Sequence, residues 1–192
     1  MVNRRSVIKL GAVTIAGALV NVSGRALGAA PSYSGTSLYR AVFDERFEEG
    51  LAFAAELNRR GVMTSVVGGD VGKLWYGDLQ VRLRQGPAPI AGLTDRATLF
   101  CLEELARGAG MSVFYRVDHL IDRSGHTQHD AVGPASIIEA TRRLVAESEF
   151  GRAMAVLASH FEVSGRRDTA AQKRTGPFSP QDKTALVSWV IA

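Results

Sequence analysis

SLYRAVFDERFEEGLAFAAELNRRGVMTSVV, residues 37–67, reads as strand, helix, strand, and that reading decides the fold. Ser37-Leu38-Tyr39-Arg40-Ala41-Val42-Phe43 forms a first strand that ends at Asp44. Asp44 is a good helix N-cap, and Glu45, Glu48 and Glu49 favour the positive end of the helix dipole that follows. Phe47, Leu51, Ala54 and Leu57 recur at helical spacing; Arg59 and Arg60 suit the C-terminal turn, and Gly61 stops it. Val62 to Val67 is then a second, buried strand closed by Gly68-Gly69.

The same rhythm continues outward. Asp70 caps a second helix with Val71, Leu74 or Trp75, Leu79 and Leu83 on one face, although Gly72 and Gly77 each cost up to ~1 kcal/mol relative to Ala. Gly86-Pro87 ends it. Pro89 to Gly92 is a short third strand, and Thr94 caps a helix running to Arg107. Leu99, Leu102, Leu105 and Ala106, with Phe100 and Cys101 beside them, give this helix a broad apolar side. Met111 to Val117 alternates as a fourth strand. Asp122-Arg123-Ser124-Gly125 is a turn signal whose flanks pair as a hairpin. Gly133-Pro134 opens a helical region from Ala135 to about Phe161, interrupted at Gly151. Residues 165–180 are a polar loop, and Ala185 to Ile191 is a terminal strand docked on the sheet. Strand–helix alternation therefore predicts a single α/β domain over residues 31–192. Its sheet is mostly parallel with helices on both faces, one hairpin and a C-terminal strand.

Ahead of that domain lies Asn3-Arg4-Arg5-Ser6-Val7-Ile8-Lys9, then an uncharged, mildly apolar run from Leu10 to Gly24 and the small residues Ala26, Gly28, Ala29 and Ala30. This leader, residues 1–30, resembles a twin-arginine (Tat) export signal, with Arg4 and Arg5 as its paired arginines. The resemblance implies that the Tat translocase carries the chain, already folded, into the periplasm. It also implies either a cofactor inserted beforehand or a partner that holds one. The apolar run is about fifteen residues punctuated by Gly11 and Gly17, whereas a membrane span needs ~18 or more, so no stable span is expected after cleavage.

The charge balance changes once the leader is removed. The whole chain has 23 basic and 19 acidic residues, a net charge of +4. Four of the basic residues, Arg4, Arg5, Lys9 and Arg25, lie before residue 31 with no acid among them, so the remainder is neutral. A neutral domain lacks the basic excess that drives nucleic-acid binding. The single cysteine, Cys101, excludes an internal disulfide, a cysteine-ligated cluster and a C-x-x-C-H haem attachment. Within its helix, Cys101 is expected to be a buried, inert thiol. Gly68-Gly69-Asp70 lacks G-x-G-x-x-G and the Lys-Ser/Thr of a phosphate loop, which disfavours a dinucleotide cofactor.

Two groups of residues carry candidate chemistry. Ligands of open α/β sheets bind outside the carboxyl ends of the strands, where this reading places Asp44, Asp70, Asp95 and His119 as catalytic or ligand-binding groups. Helix capping alone is the plainer account of Asp44, Asp70 and Thr94, since caps select strongly for these residue types. His119, His126 and His129 fall within eleven residues and form a candidate metal site for zinc, copper or non-haem iron, against the plainer alternative of a solvated polar hairpin. Trp75-Tyr76 and the loop from Pro87 to Leu93 are either core or an apolar contact surface. The favoured reading is a Tat-exported periplasmic accessory protein or small subunit that partners a larger exported, cofactor-containing redox enzyme. The alternative is a small periplasmic α/β enzyme, metal-dependent or not, or a solute-binding protein, using the loops at the strand carboxyl ends.

Overall fold

The computed structural model describes residues 38–122, 125–160, 171–174 and 184–192, and the leader and most of 165–180 lie outside them. One seven-stranded mixed sheet in the order β2-β1-β3-β7-β4-β5-β6 is covered by helices on both faces. Its strands are β1 (Arg40–Phe43), β2 (Thr64–Val66), β3 (Ile90–Thr94), β4 (Val113–Ile121), β5 (Thr127–Gly133), β6 (Ala171–Arg174) and β7 (Thr184–Ile191). The helices are α1 (Glu48–Arg59), α2 (Val71–Leu74), α3 (Gln80–Leu83), α4 (Arg96–Arg107), α5 (Ala135–Glu147) and α6 (Phe150–Ser159). A π-helical turn, Trp75–Leu79, joins α2 to α3.

The α/β class holds, as do the hairpin and the terminal strand. The parallel character is confined to the β2-β1-β3 half; beyond β3, every described pairing is antiparallel. The cause is connectivity. Crossover helices return β1, β2 and β3 in one direction, whereas β4 turns directly into β5 at Gly125, whose φ of 84° suits a tight turn. The last strand, β7, does not dock at an edge but enters the middle of the sheet, between β3 and β4. Its residues are buried on both faces: Leu186 and Val190 face the layer of α1, α5 and α6, while Val187, Trp189 and Ile191 face the layer of α2, α3 and α4. Residues 165–180 were expected to form only a loop, yet Ala171–Arg174 within them pairs antiparallel with β5.

Two caps differ from expectation. Helix α1 starts at Glu48 with Phe47, whose ring has no hydrogen-bonding atom, at the N-cap, while the Asp44 carboxylate expected there accepts from the Arg46 backbone N–H (3.0 Å) and its guanidinium. Helix α4 is capped by Asp95, which accepts from the Thr98 N–H at 2.8 Å, rather than by Thr94, whose hydroxyl receives the Trp189 indole N–H at 3.1 Å. Asp70 does cap α2, accepting from the Lys73 N–H at 3.1 Å. The long helix expected from Ala135 breaks at Ser148 and Glu149, just before Gly151. Gly151 itself packs against α1, where an added Cβ would lie 2.3 Å from the Glu49 carbonyl oxygen.

Candidate functional site

The helix following β1 lies on one face of the sheet and the helix following β3 on the other, so the gap between the carboxyl ends of β1 and β3 is the topological switch point. Asp44 leaves β1 there and Asp95 follows β3. Between them stands Arg46, whose guanidinium reaches Asp44 Oδ2 at 2.5 Å and Asp95 Oδ2 at 3.1 Å. The Asp44 side chain is only 2% exposed. Its carboxyl is held below the usual range chiefly by the hydrogen bonds from Arg46, against the opposing effect of burial. Next along the same rim, Arg96 at the start of α4 pairs with Asp118 at 3.0 Å, and Arg116 lies 3.9 Å from the same carboxylate. Each of these carboxylates is answered by an arginine.

His119 does not join that rim. Successive residues of β4 point to opposite faces, so Asp118 turns toward α4 while His119 turns into the layer of α5 and α6. It is fully buried, stacked on Phe150 with ring centroids 4.5 Å apart. Its Nδ1 lies 2.7 Å from Nδ1 of His129, the residue directly opposite on β5, and its Nε2 lies 2.9 Å from Ser188 Oγ on β7. Burial pushes the His119 pKa well below the ordinary imidazole value, with a smaller push from His129, and burial lowers His129 to about 4. Both rings are neutral at pH 7. One Nδ1 must then donate and the other accept. If His119 accepts, its Nε2–H donates to Ser188; if it donates, the Ser188 hydroxyl donates to its Nε2. Either tautomer satisfies the chain of three.

Hydroxyl, imidazole and a third orienting group is the arrangement that activates a nucleophile. Here Ser188 is 1% exposed, in the middle of the sheet, so the hydroxyl has no room for a substrate beside it. Nor do the described histidines converge. His126 sits past the hairpin turn with its side chain 85% exposed, 3.8 Å from Asp122. At 2.7 Å the Nδ1 atoms of His119 and His129 share a hydrogen and leave no space for an ion between them. Among the described residues, no three His, Cys, Asp or Glu side chains lie close enough together to hold a metal.

Of the residues named from sequence, the structure therefore brings Asp44 together with Asp95, and His119 with His129. Asp70 is left as a helix cap and His126 on the hairpin. Sequence reasoning missed Arg46, because an arginine two residues after an aspartate in a loop carries no periodic signal. Ser188 had a signal: it is the polar member of the otherwise apolar inner row Leu186, Ser188, Val190 of β7. Cys101 is exposed rather than buried, and Phe100 beside it is 63% exposed, because α4 buries Leu99, Leu102 and Ala106 on its other side. Trp75 is core, whereas Tyr76 is 63% exposed; Ala88 and Ile90 of the following loop and strand are core.

No known protein family matches the chain, and no characterised protein or solved structure is significantly similar to it. Among the described residues no helix is long and apolar enough to cross a membrane.

Proposed function

We propose that the chain is a Tat-exported periplasmic accessory protein, or small subunit, that partners a larger cofactor-containing redox enzyme. One observation supports this over catalysis at the strand ends: how the polar and apolar groups are used. Asp44, Asp95 and Asp118 are occupied by arginines or by a helix N–H, and His119, His129 and Ser188 bond to one another inside the core. Tyr76 and Phe100, meanwhile, stand in solvent on the α2–α4 side. Exposed aromatic rings are what an interface uses, since they bury large area at low entropic cost.

The test is native mass spectrometry of the chain purified gently from the periplasm of its own host. The expected species contains this chain and a larger one whose mass includes a cofactor. A lone chain of mature mass carrying a small ligand would overturn the accessory reading in favour of a solute-binding or catalytic protein.

A further inference from the structure

The π-helical turn Trp75–Leu79 is the least ordinary backbone feature of the described chain, for π-helices make up well under 1% of residues and occur often at functional sites. Its Gln80 N–H reaches back five residues to the Trp75 carbonyl. The wide turn lets Trp75 and Leu79 enter the core while Asp78 accepts from Tyr39 Oη (2.5 Å) and pairs with Arg40 (2.9 Å), which pins the segment from below. Tyr76, Gln80 and Arg84 are thereby lined up along the outer side. They form one wall of a groove of about 520 Å³ whose other wall is the C-terminal half of α4, through Glu104, Leu105 and Gly108.

The charges on the two walls are not equivalent. Glu104 is answered within its own helix by Arg107 at 2.9 Å, and Arg107 also lies 3.6 Å from Glu103. Lys73, one turn before Tyr76, and Arg84 at the far end are both exposed and ion-paired with no described residue. The groove is therefore lined by apolar groups (Trp75, Leu83, Leu105) and polar ones (Gln80, Arg84, Glu104) in near-equal measure, with the exposed Tyr76 ring at its edge, the unpaired Arg84 in its wall and the unpaired Lys73 one helical turn outside it. We infer that this groove is the docking site for an acidic segment of a partner protein, with an aromatic or aliphatic side chain of that segment seated against Tyr76 and Leu105 and its carboxylates on Lys73 and Arg84. The inference rests on the accessory reading above and names the surface and the partner chemistry that it needs. Tyrosine and arginine are the residue types in which interface energy concentrates, and exposed charges at a rim set encounter and register.

The experiment places the photo-crosslinker p-benzoylphenylalanine at position 76, and separately at position 143 on α5 of the opposite layer, in the full-length chain expressed in its own host. Cross-linked peptides are then sequenced. In parallel, affinity for the purified partner is measured for the wild type, Lys73→Glu/Arg84→Glu and, as control, Arg143→Glu. The expected result is a cross-link from position 76 to an acidic segment of the larger chain. Affinity should fall about tenfold or more in the double variant and fall as salt is raised, with no change in the control. Because Lys73 and Arg84 are exposed, circular dichroism and thermal unfolding should show both variants folded. A complex that cross-links only from position 143, or that ignores the charge reversal, overturns the docking site and leaves the accessory reading intact. A cross-link to a second copy of this chain overturns it in favour of a homodimer. A chain with no partner at all removes both.

Discussion

His119 and His129 face each other across β4 and β5 with their Nδ1 atoms 2.7 Å apart, and the burial that keeps both rings neutral makes the fold acid-sensitive. In the unfolded chain each imidazole takes a proton near pH 6.5. In the folded chain His129 does so only near pH 4, and burial likewise holds His119 well below its ordinary value. Between those values the unfolded state binds more protons, so stability falls as pH falls from about 6.5 toward 4.

For His129 alone the linkage is on the order of 3 kcal/mol across that window, at about 1.4 kcal/mol per pH unit. Urea unfolding at pH 7 and pH 4.5 should show the loss in the wild type and a clearly smaller one in His129→Gln. The glutamine amide keeps a hydrogen-bonding group opposite His119 without a proton to gain. An equal loss in both proteins would mean that acid sensitivity arises elsewhere.

That pairing was half legible in the sequence. A turn at Asp122–Gly125 fixes the register of its flanking strands, and the register sets His119 opposite His129. Ser188 completes the chain from 69 residues away, and nothing local says which strand β7 will join. The order of the unit from β1 to β2 was readable from its hydrophobic pattern, but β2 is an edge strand with Val66 45% exposed instead of the buried strand expected, and Leu51 of the expected apolar stripe is 50% exposed. The sheet beyond β3 was not, since β7 is apolar on both faces and such a run fits a parallel or an antiparallel neighbour equally well. The ends of β1 and β3 were placed on the rim by the same β-α-β logic, but β4 runs on to Ile121 instead of closing at Val117, which leaves His119 inside the strand and off the rim. What escaped was their content: Arg46 and Arg96 turn the expected polar pocket into ion pairs.

Those ion pairs make a second prediction. Asp44 is nearly sealed from solvent and Arg46 is the cation beside it, so Arg46→Met should leave a buried carboxylate without its partner and destabilise the fold. The loss should be largest at neutral pH. Asp44 is held below the ordinary carboxylate range in the folded state, so the stability it contributes is present above that range and is lost as pH falls through the folded value. Wild type and variant should converge in acid, and the double variant Asp44→Asn/Arg46→Met should recover part of the loss at pH 7. Thermal melts of the three proteins across pH 3 to 7 read this directly; a constant gap at every pH would point to lost packing by the arginine stem instead.

Gly92 answers to a different constraint. It lies opposite Trp189 where β3 meets β7, and the indole lies over it with its N–H on Thr94. A Cβ at residue 92 would sit 2.2 Å from Trp189 Cζ2. Gly92→Ala must therefore displace the indole, at a cost of about 1–3 kcal/mol typical of overpacked cores. The expected readout is a lower melting temperature together with altered tryptophan emission. Gly77, on the outer side of the π-helical turn with nothing within 4 Å of an added Cβ, should tolerate alanine. Comparable behaviour at both positions would contradict the packing of β7 against β3.

The proposed export route depends on Arg4 and Arg5. If Arg4 and Arg5 address the chain to the Tat translocase, replacing both by Lys keeps the charge and the apolar run but removes the paired guanidinium groups, and lysine does not substitute for arginine where planar recognition matters. Fractionation should then find the variant as uncleaved precursor in the cytoplasm and the wild type as mature chain in the periplasm. The domain itself should melt at the same temperature in both. Undiminished periplasmic protein from the Arg4→Lys/Arg5→Lys variant would refute the Tat assignment. It would also remove the reason to expect a cofactor-bearing partner, since a chain exported unfolded has no need to assemble with one beforehand.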